Sequence, residues 1–82
     1  MEEDEVVAEL TRSVNEVLAQ PVLSEPARKR LEQFLVVIGE DIDVSLRVDK
    51  CRELLAIIDA DARLPAPVRT HLWHVNAMLE LL

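Results

Sequence analysis

Apolar residues return every three or four positions through most of this chain, which is the period of a helix face. Val7, Leu10, Val14, Val17 and Leu18 define a first stripe. It predicts a helix over about 4–19, entered through the acidic run EEDE and stopped by Pro21, whose ring cannot continue the turn. Ala27, Leu31, Phe34, Leu35 and Ile38 define a second, predicted over 25–38. Ser24 is placed to cap it, Pro26 fits its first turn, and Gly39 offers a left-handed terminus. Val44, Val48, Cys51, Leu55 and Ile58 carry a third helix over about 44–59, widened by Leu54 and Ile57 and opened by Asp43 as a cap. Pro65 and Pro67 open the fourth, in which Val68, Leu72, Val75, Leu79 and Leu82 form one seam. The run FLVVI at 34–38, taken alone, would also suit a strand.

A repeat decides that run for helix. LSEPAR at 23–28 returns as LPAPVR at 64–69, a shift of 41 positions. Under the same shift Val7 meets Val48, Val14 meets Leu55, Val17 meets Ile58, Leu31 meets Leu72, Phe34 meets Val75 and Ile38 meets Leu79. Each half reads as helix, Pro-bearing turn, helix. A lone helical hairpin leaves its apolar face uncovered, so the two halves, about 4–38 and 44–82, are expected to share one core in a single domain. The expected class is all-α. Two packings satisfy the pattern. One is a closed four-helix bundle with short loops. The other is a HEAT-like stack of hairpins, whose period is similar; the closed bundle is the expected form, because two repeats are fewer than a stack usually needs and no polar capping repeat is present.

Composition agrees. Eighty-two residues suit one domain, and 50% hydrophobic content is enough for a core. One Gly and four Pro leave little material for many short turns. The net charge of −7 argues against nucleic acid and against anionic membrane surfaces as partners. Only Lys29 and Lys50 among nine basic residues are Lys, and such an acidic, Lys-poor surface fits a salt-adapted host. Cys51 is alone, so no internal disulfide forms, and it reads as a small core residue. No signal-peptide pattern and no membrane-length apolar run are present, so a cytoplasmic location is expected.

The fourth helix carries a resemblance. LPAPVRTHLWHVNAMLE at 64–80, with Pro65, Arg69, Thr70, Trp73, Leu79 and Glu80, is similar to the ending of an uncharacterised archaeal family of small proteins in the UPF series. DVSLRVDKCRELLAIID at 43–59 resembles that family's third helix and LSEPARKRL its second. The last helix is the specific part. The resemblance implies a short all-α bundle of unknown function. It implies no activity and brings no site residues.

Catalytic patterns are absent from the sequence. His71 and His74, three apart, suit a shared metal only if a third ligand joins them, and Cys51 is expected to face the core. No nucleophile sits on a strained turn, and the single Gly leaves no phosphate cradle. The acidic pairs Glu40 with Asp41 and Asp59 with Asp61 lie in solvated loops, where carboxylates are poor acid–base catalysts. DADAR lacks the ligands and Gly of a calcium loop. Arg28 and Arg69 occupy equivalent repeat positions, where a structural role is expected, reaching acidic loop groups such as Asp59 or Asp61. No cofactor is expected.

Trp73 stands out. At 100° per residue it lies about 140° from Val68, on the far side of its helix from the seam. Ala77 and Leu81 follow at i+4 and i+8, making a second apolar ridge. Such a ridge is either buried on a second side within the bundle or offered to a partner. The expectation is a non-enzymatic helical module working through protein–protein packing, as a homodimer through Trp73, Ala77 and Leu81. The alternatives are a HEAT-like adaptor for a partner peptide and a small metal-dependent enzyme using His71 and His74.

Overall fold

The structure, a computed structural model, describes residues 2–82. It contains four helices, α1 (Glu3–Leu18), α2 (Glu25–Ile38), α3 (Val44–Asp59) and α4 (Ala66–Leu79), and no strand among the described residues. FLVVI is therefore helical. Three connections of only a few residues make the helices alternate in direction. The longest dimension, 33 Å, is that of a sixteen-residue helix, about 24 Å, plus its turns.

The packing is a closed ring. α1 meets α2 and α4, and α3 meets α2 and α4, with the α2–α3 and α1–α4 seams the most extensive. The helices related by the repeat, α1 with α3 and α2 with α4, do not pack backbone to backbone, although an ion pair at 3.4 Å joins Glu3 of α1 to Arg47 of α3. In a stack of hairpins those equivalent helices would lie side by side. Here they face each other across the core, so the halves are related by a pseudo-two-fold axis along the bundle, and the HEAT-like stack is not what forms. Closure is favoured physically, because a ring of four amphipathic helices covers every apolar stripe whereas two stacked hairpins leave a side open.

Burial follows the repeat. Val14 and Leu55, Val17 and Ile58, Leu23 and Leu64, Ala27 and Val68, Leu31 and Leu72, Phe34 and Val75, and Ile38 and Leu79 are all buried in matching pairs. Leu10 and Cys51 form another such pair, which confirms the thiol as a core side chain. The expected stripes are not uniformly buried: Leu18, Leu35, Val44, Val48 and Leu82 are half-buried at their margins. Val6 is fully buried and Val7 only half-buried, because the first turn of α1 leans on the core through Val6.

The helix ends are finished by three arginines, each reaching back from the following helix. Arg28 donates to the carbonyl oxygens of Leu18 (2.8 Å) and Gln20 (3.5 Å). Arg69, its repeat partner, donates to those of Asp59 (2.7 Å) and Asp61 (2.9 Å), and also to the Asp59 carboxylate at 2.6 Å. Arg47 bridges the two halves, donating to Ile38 O (3.1 Å) and Ile42 O (3.2 Å). None of α1, α2 and α3 has a basic residue in its own last turn. The guanidinium from the next helix supplies both the positive charge and the donors that unpaired terminal carbonyls need.

Two caps differ from expectation. Ser24 Oγ does accept from Ala27 N–H, at 3.4 Å. Asp43 makes no side-chain cap; its carboxylate accepts from Ser45 Oγ at 3.1 Å instead. Gly39 has φ −97°, in the right-handed region, and its N–H donates to Val36 O. With Arg47 on the last α2 carbonyl, no left-handed turn is required there.

Candidate interaction surface

α4 is the least charged helix of the bundle. Its segment APVRTHLWHVNAML holds a single formal charge, Arg69, and that side chain is turned back onto the end of α3. Val68, Leu72, Val75 and Leu79 face the core. The opposite side presents Thr70, Trp73, His74, Asn76 and Ala77 to solvent. Trp73 and Leu81 are each 59% exposed, so the indole is not buried on a second side of the bundle. The ridge extends past the last α-helical residue because Glu80 and Leu81 donate to Ala77 O and Met78 O in a tightened final turn. Beside Trp73 runs a shallow groove between α3 and α4, lined on the α3 side by Arg52, Ala56 and Asp59.

The two histidines part company. His74 is exposed. His71 is half-buried against α1, with Nε2 at 2.8 Å from Ser13 Oγ and 3.8 Å from Glu16 Oε2. Ser13 is the one buried polar side chain among the described residues, and this hydrogen bond satisfies it. Hydroxyl and carboxylate both approach the same ring nitrogen. A serine–histidine–acid relay needs the acid on the other nitrogen, and it needs an open hydroxyl, whereas Ser13 is buried. The arrangement ties α1 to α4. Ser13 carries no periodicity signal of its own, and only knowledge that α1 abuts α4 reveals its partner.

Cys51 lies inside, its thiol 4.0 Å from Phe34 O. Burial pushes its pKa up to about 11, against the nearby positive charge of Arg47, so the thiol is protonated at neutral pH and closed off from solvent. It is not brought to the histidines. No group of three metal-ligating side chains occurs among the described residues. Asp61 is held below the usual carboxylate range by hydrogen bonds from the Arg63 backbone N–H and guanidinium, and Asp59 is paired with Arg69. Asp59, which closes α3 rather than lying in the loop, and Asp61 in the turn after it are thus both committed as acceptors.

A second apolar face lies between α2 and α3. Val36 and Ile57 are exposed there, with Val37 and Leu54 half-buried between them, and Leu46 continues the α3 side of it. Lys29 and Lys50, the only lysines of the chain, line this groove together with Glu32 and Glu53. Sequence reasoning placed no site here. The signal was available in FLVVI, since five consecutive apolar residues cannot all point inward from a helix.

No protein-family profile, curated protein or solved structure matches the chain. No described helix is long and apolar enough to cross a membrane.

Proposed function

We propose that this chain is a non-enzymatic helical module whose work is helix-to-helix packing, and that it pairs with a second copy of itself through the outward face of α4. The observation that carries this reading is the exposure of Trp73 and Leu81 on a helix with one formal charge, in a chain of net charge −7. Two copies of so acidic a chain repel each other over most of their surface. The outward face of α4 carries no formal charge on Thr70, Trp73, His74, Asn76 or Ala77, where other helices carry ion pairs such as Arg12 with Glu16. A tryptophan is also the side chain that most often anchors an interface. The bundle, acidic and without an assembled catalytic group, acts in this reading as a cytoplasmic assembly element.

The test is light scattering after size exclusion at submillimolar concentration. The wild type is expected at twice the chain mass, and Trp73→Ala at the monomer mass with helical circular dichroism unchanged. A wild-type monomer overturns the reading.

The groove lined by Val36, Val37, Leu54 and Ile57 favours a second reading, in which an amphipathic partner peptide lies between α2 and α3. It predicts that Ile57→Glu abolishes capture of a partner while leaving the mass in solution unchanged.

A further inference from the structure

The outward ridge of α4 has an internal symmetry that specifies how a second copy would sit on it. Trp73 and Leu81 lie four residues on either side of Ala77. We infer that two copies pack α4 against α4 in antiparallel fashion, with the two-fold axis passing beside Ala77. This inference rests on the self-association reading and adds its geometry.

In that register Ala77 faces the partner's Ala77, and Trp73 of each copy packs on the partner's Leu81. Both ends of the contact then hold one indole and one isobutyl group, so the gap between the helices is even. Ala77 at the centre lets the backbones approach toward the short end of helix-packing distances. A parallel pair would set indole against indole at one end and leucine against leucine at the other, splaying the helices. It would also align the two helix dipoles, which an antiparallel pair opposes favourably.

Charge and polarity agree with the same face. Thr70, Trp73, Ala77 and Leu81 place no formal charge on the contact line. Arg69 is withdrawn to the Asp59 and Asp61 carbonyls. Glu80 is the nearest acid, and in the antiparallel register it and its copy stand six residues apart, about 9 Å along the helix. The groove beside Trp73, with Ala56 as a small residue on its α3 side, leaves room for the indole to settle toward α3 as the partner closes. A contact made by one helix per copy is smaller than the roughly 800 Å² per partner of a standard interface, so the pairing is concentration-dependent.

Disulfide trapping tests the register. The wild type is the blank, because its only thiol, Cys51, is buried. Ala77→Cys is expected to form a disulfide-linked dimer under mild oxidation at submillimolar concentration, since the two positions adjoin on the axis. Thr70→Cys, on the same face, is expected to form none, because its copies stand fourteen residues apart, about 21 Å along the helix. Light scattering of both variants under reducing conditions confirms that each still pairs. If Thr70→Cys cross-links as readily as Ala77→Cys, the pair is parallel and the inference is overturned while self-association stands. If wild type and Ala77→Cys are dimers yet Ala77→Cys does not cross-link, another surface is used and the inference again fails. If the wild type is a monomer, both the inference and the reading beneath it fall.

Discussion

α2 and α4 occupy the same place in their respective halves, and they agree inside and differ outside. Leu31, Phe34 and Ile38 point inward from α2 as Leu72, Val75 and Leu79 do from α4. On the solvent side, where α2 carries Lys29, Arg30, Glu32 and Gln33, α4 carries Thr70, His71, Trp73 and His74. Two helices with one packing task thus wear two coats. The inner half of the repeat is fixed by the need to fill a shared core. The outer half is free of that need, and it is there that the two helices diverge.

The comparison can be broken at its strongest point first. If the two halves share one core, Leu31→Ala and Leu72→Ala should each cost about 2–5 kcal/mol and should agree closely, as urea midpoints at constant slope would show. Unequal losses, with one variant still cooperative near wild type, would mean that the repeat does not extend to energetics.

Among the repeat pairs in which both members are buried, Leu10 and Cys51 differ most in chemistry. The buried thiol's pKa of about 11 lies above its value in an unfolded chain. Below the unfolded value both states hold the proton and nothing is lost. As pH rises from about 9 toward 11 the unfolded state ionises first, and stability should fall by up to about 1.4 kcal/mol per pH unit. Cys51→Ala should flatten this part of the alkaline profile, and a profile unchanged by the substitution would refute the assignment.

The arginine clamps sharpen the comparison further. Arg69→Met should cost about 1–3 kcal/mol through loss of charged hydrogen bonds to terminal carbonyls. Arg28→Met should cost less, because one of its two bonds is long and its carboxylate partner, Glu25, stands at 3.8 Å where Asp59 stands at 2.6 Å from Arg69. Thermal melts of the two variants, compared side by side, read the difference.

The smallest effect concerns Gly39, whose repeat partner is Glu80. Both end a helix in right-handed geometry. A Cβ on Gly39 would meet nothing nearer than Leu35 O at 3.7 Å. Gly39→Ala should therefore stabilise by about 0.4–1 kcal/mol, chiefly by restricting the unfolded chain. A loss of stability would show that the turn uses conformations only glycine reaches.

The fold was largely legible because each helix announces itself twice, once by its own period and once through its repeat partner. Pro21, Ser24 and the paired prolines at 65 and 67 bounded the elements within a residue or so. The choice of ring over stack was legible only as a preference, from the small number of repeats and the lack of a polar capping repeat, since both packings bury the same stripes. What decides it is which helices become neighbours, a non-local property that no spacing encodes. The same holds for Ser13 with His71, and for the α2–α3 groove, where apolar residues surplus to the core are visible in sequence but their shared face is not. Trp73 was legible as an outlier on its helix; its exposure needed the packing.

The axis that relates α1 to α3 and α2 to α4 has a consequence for how the molecule can be taken apart. A bundle whose halves lie across such an axis is, in form, two copies of a smaller object joined by a tether, and Gly39–Asp43 with its Arg47 clamp is that tether. Either half, supplied as a separate peptide, meets in a second copy of itself nearly the same surface it meets here in its other half. The single chain thus holds together by linkage what two shorter chains would hold by concentration alone.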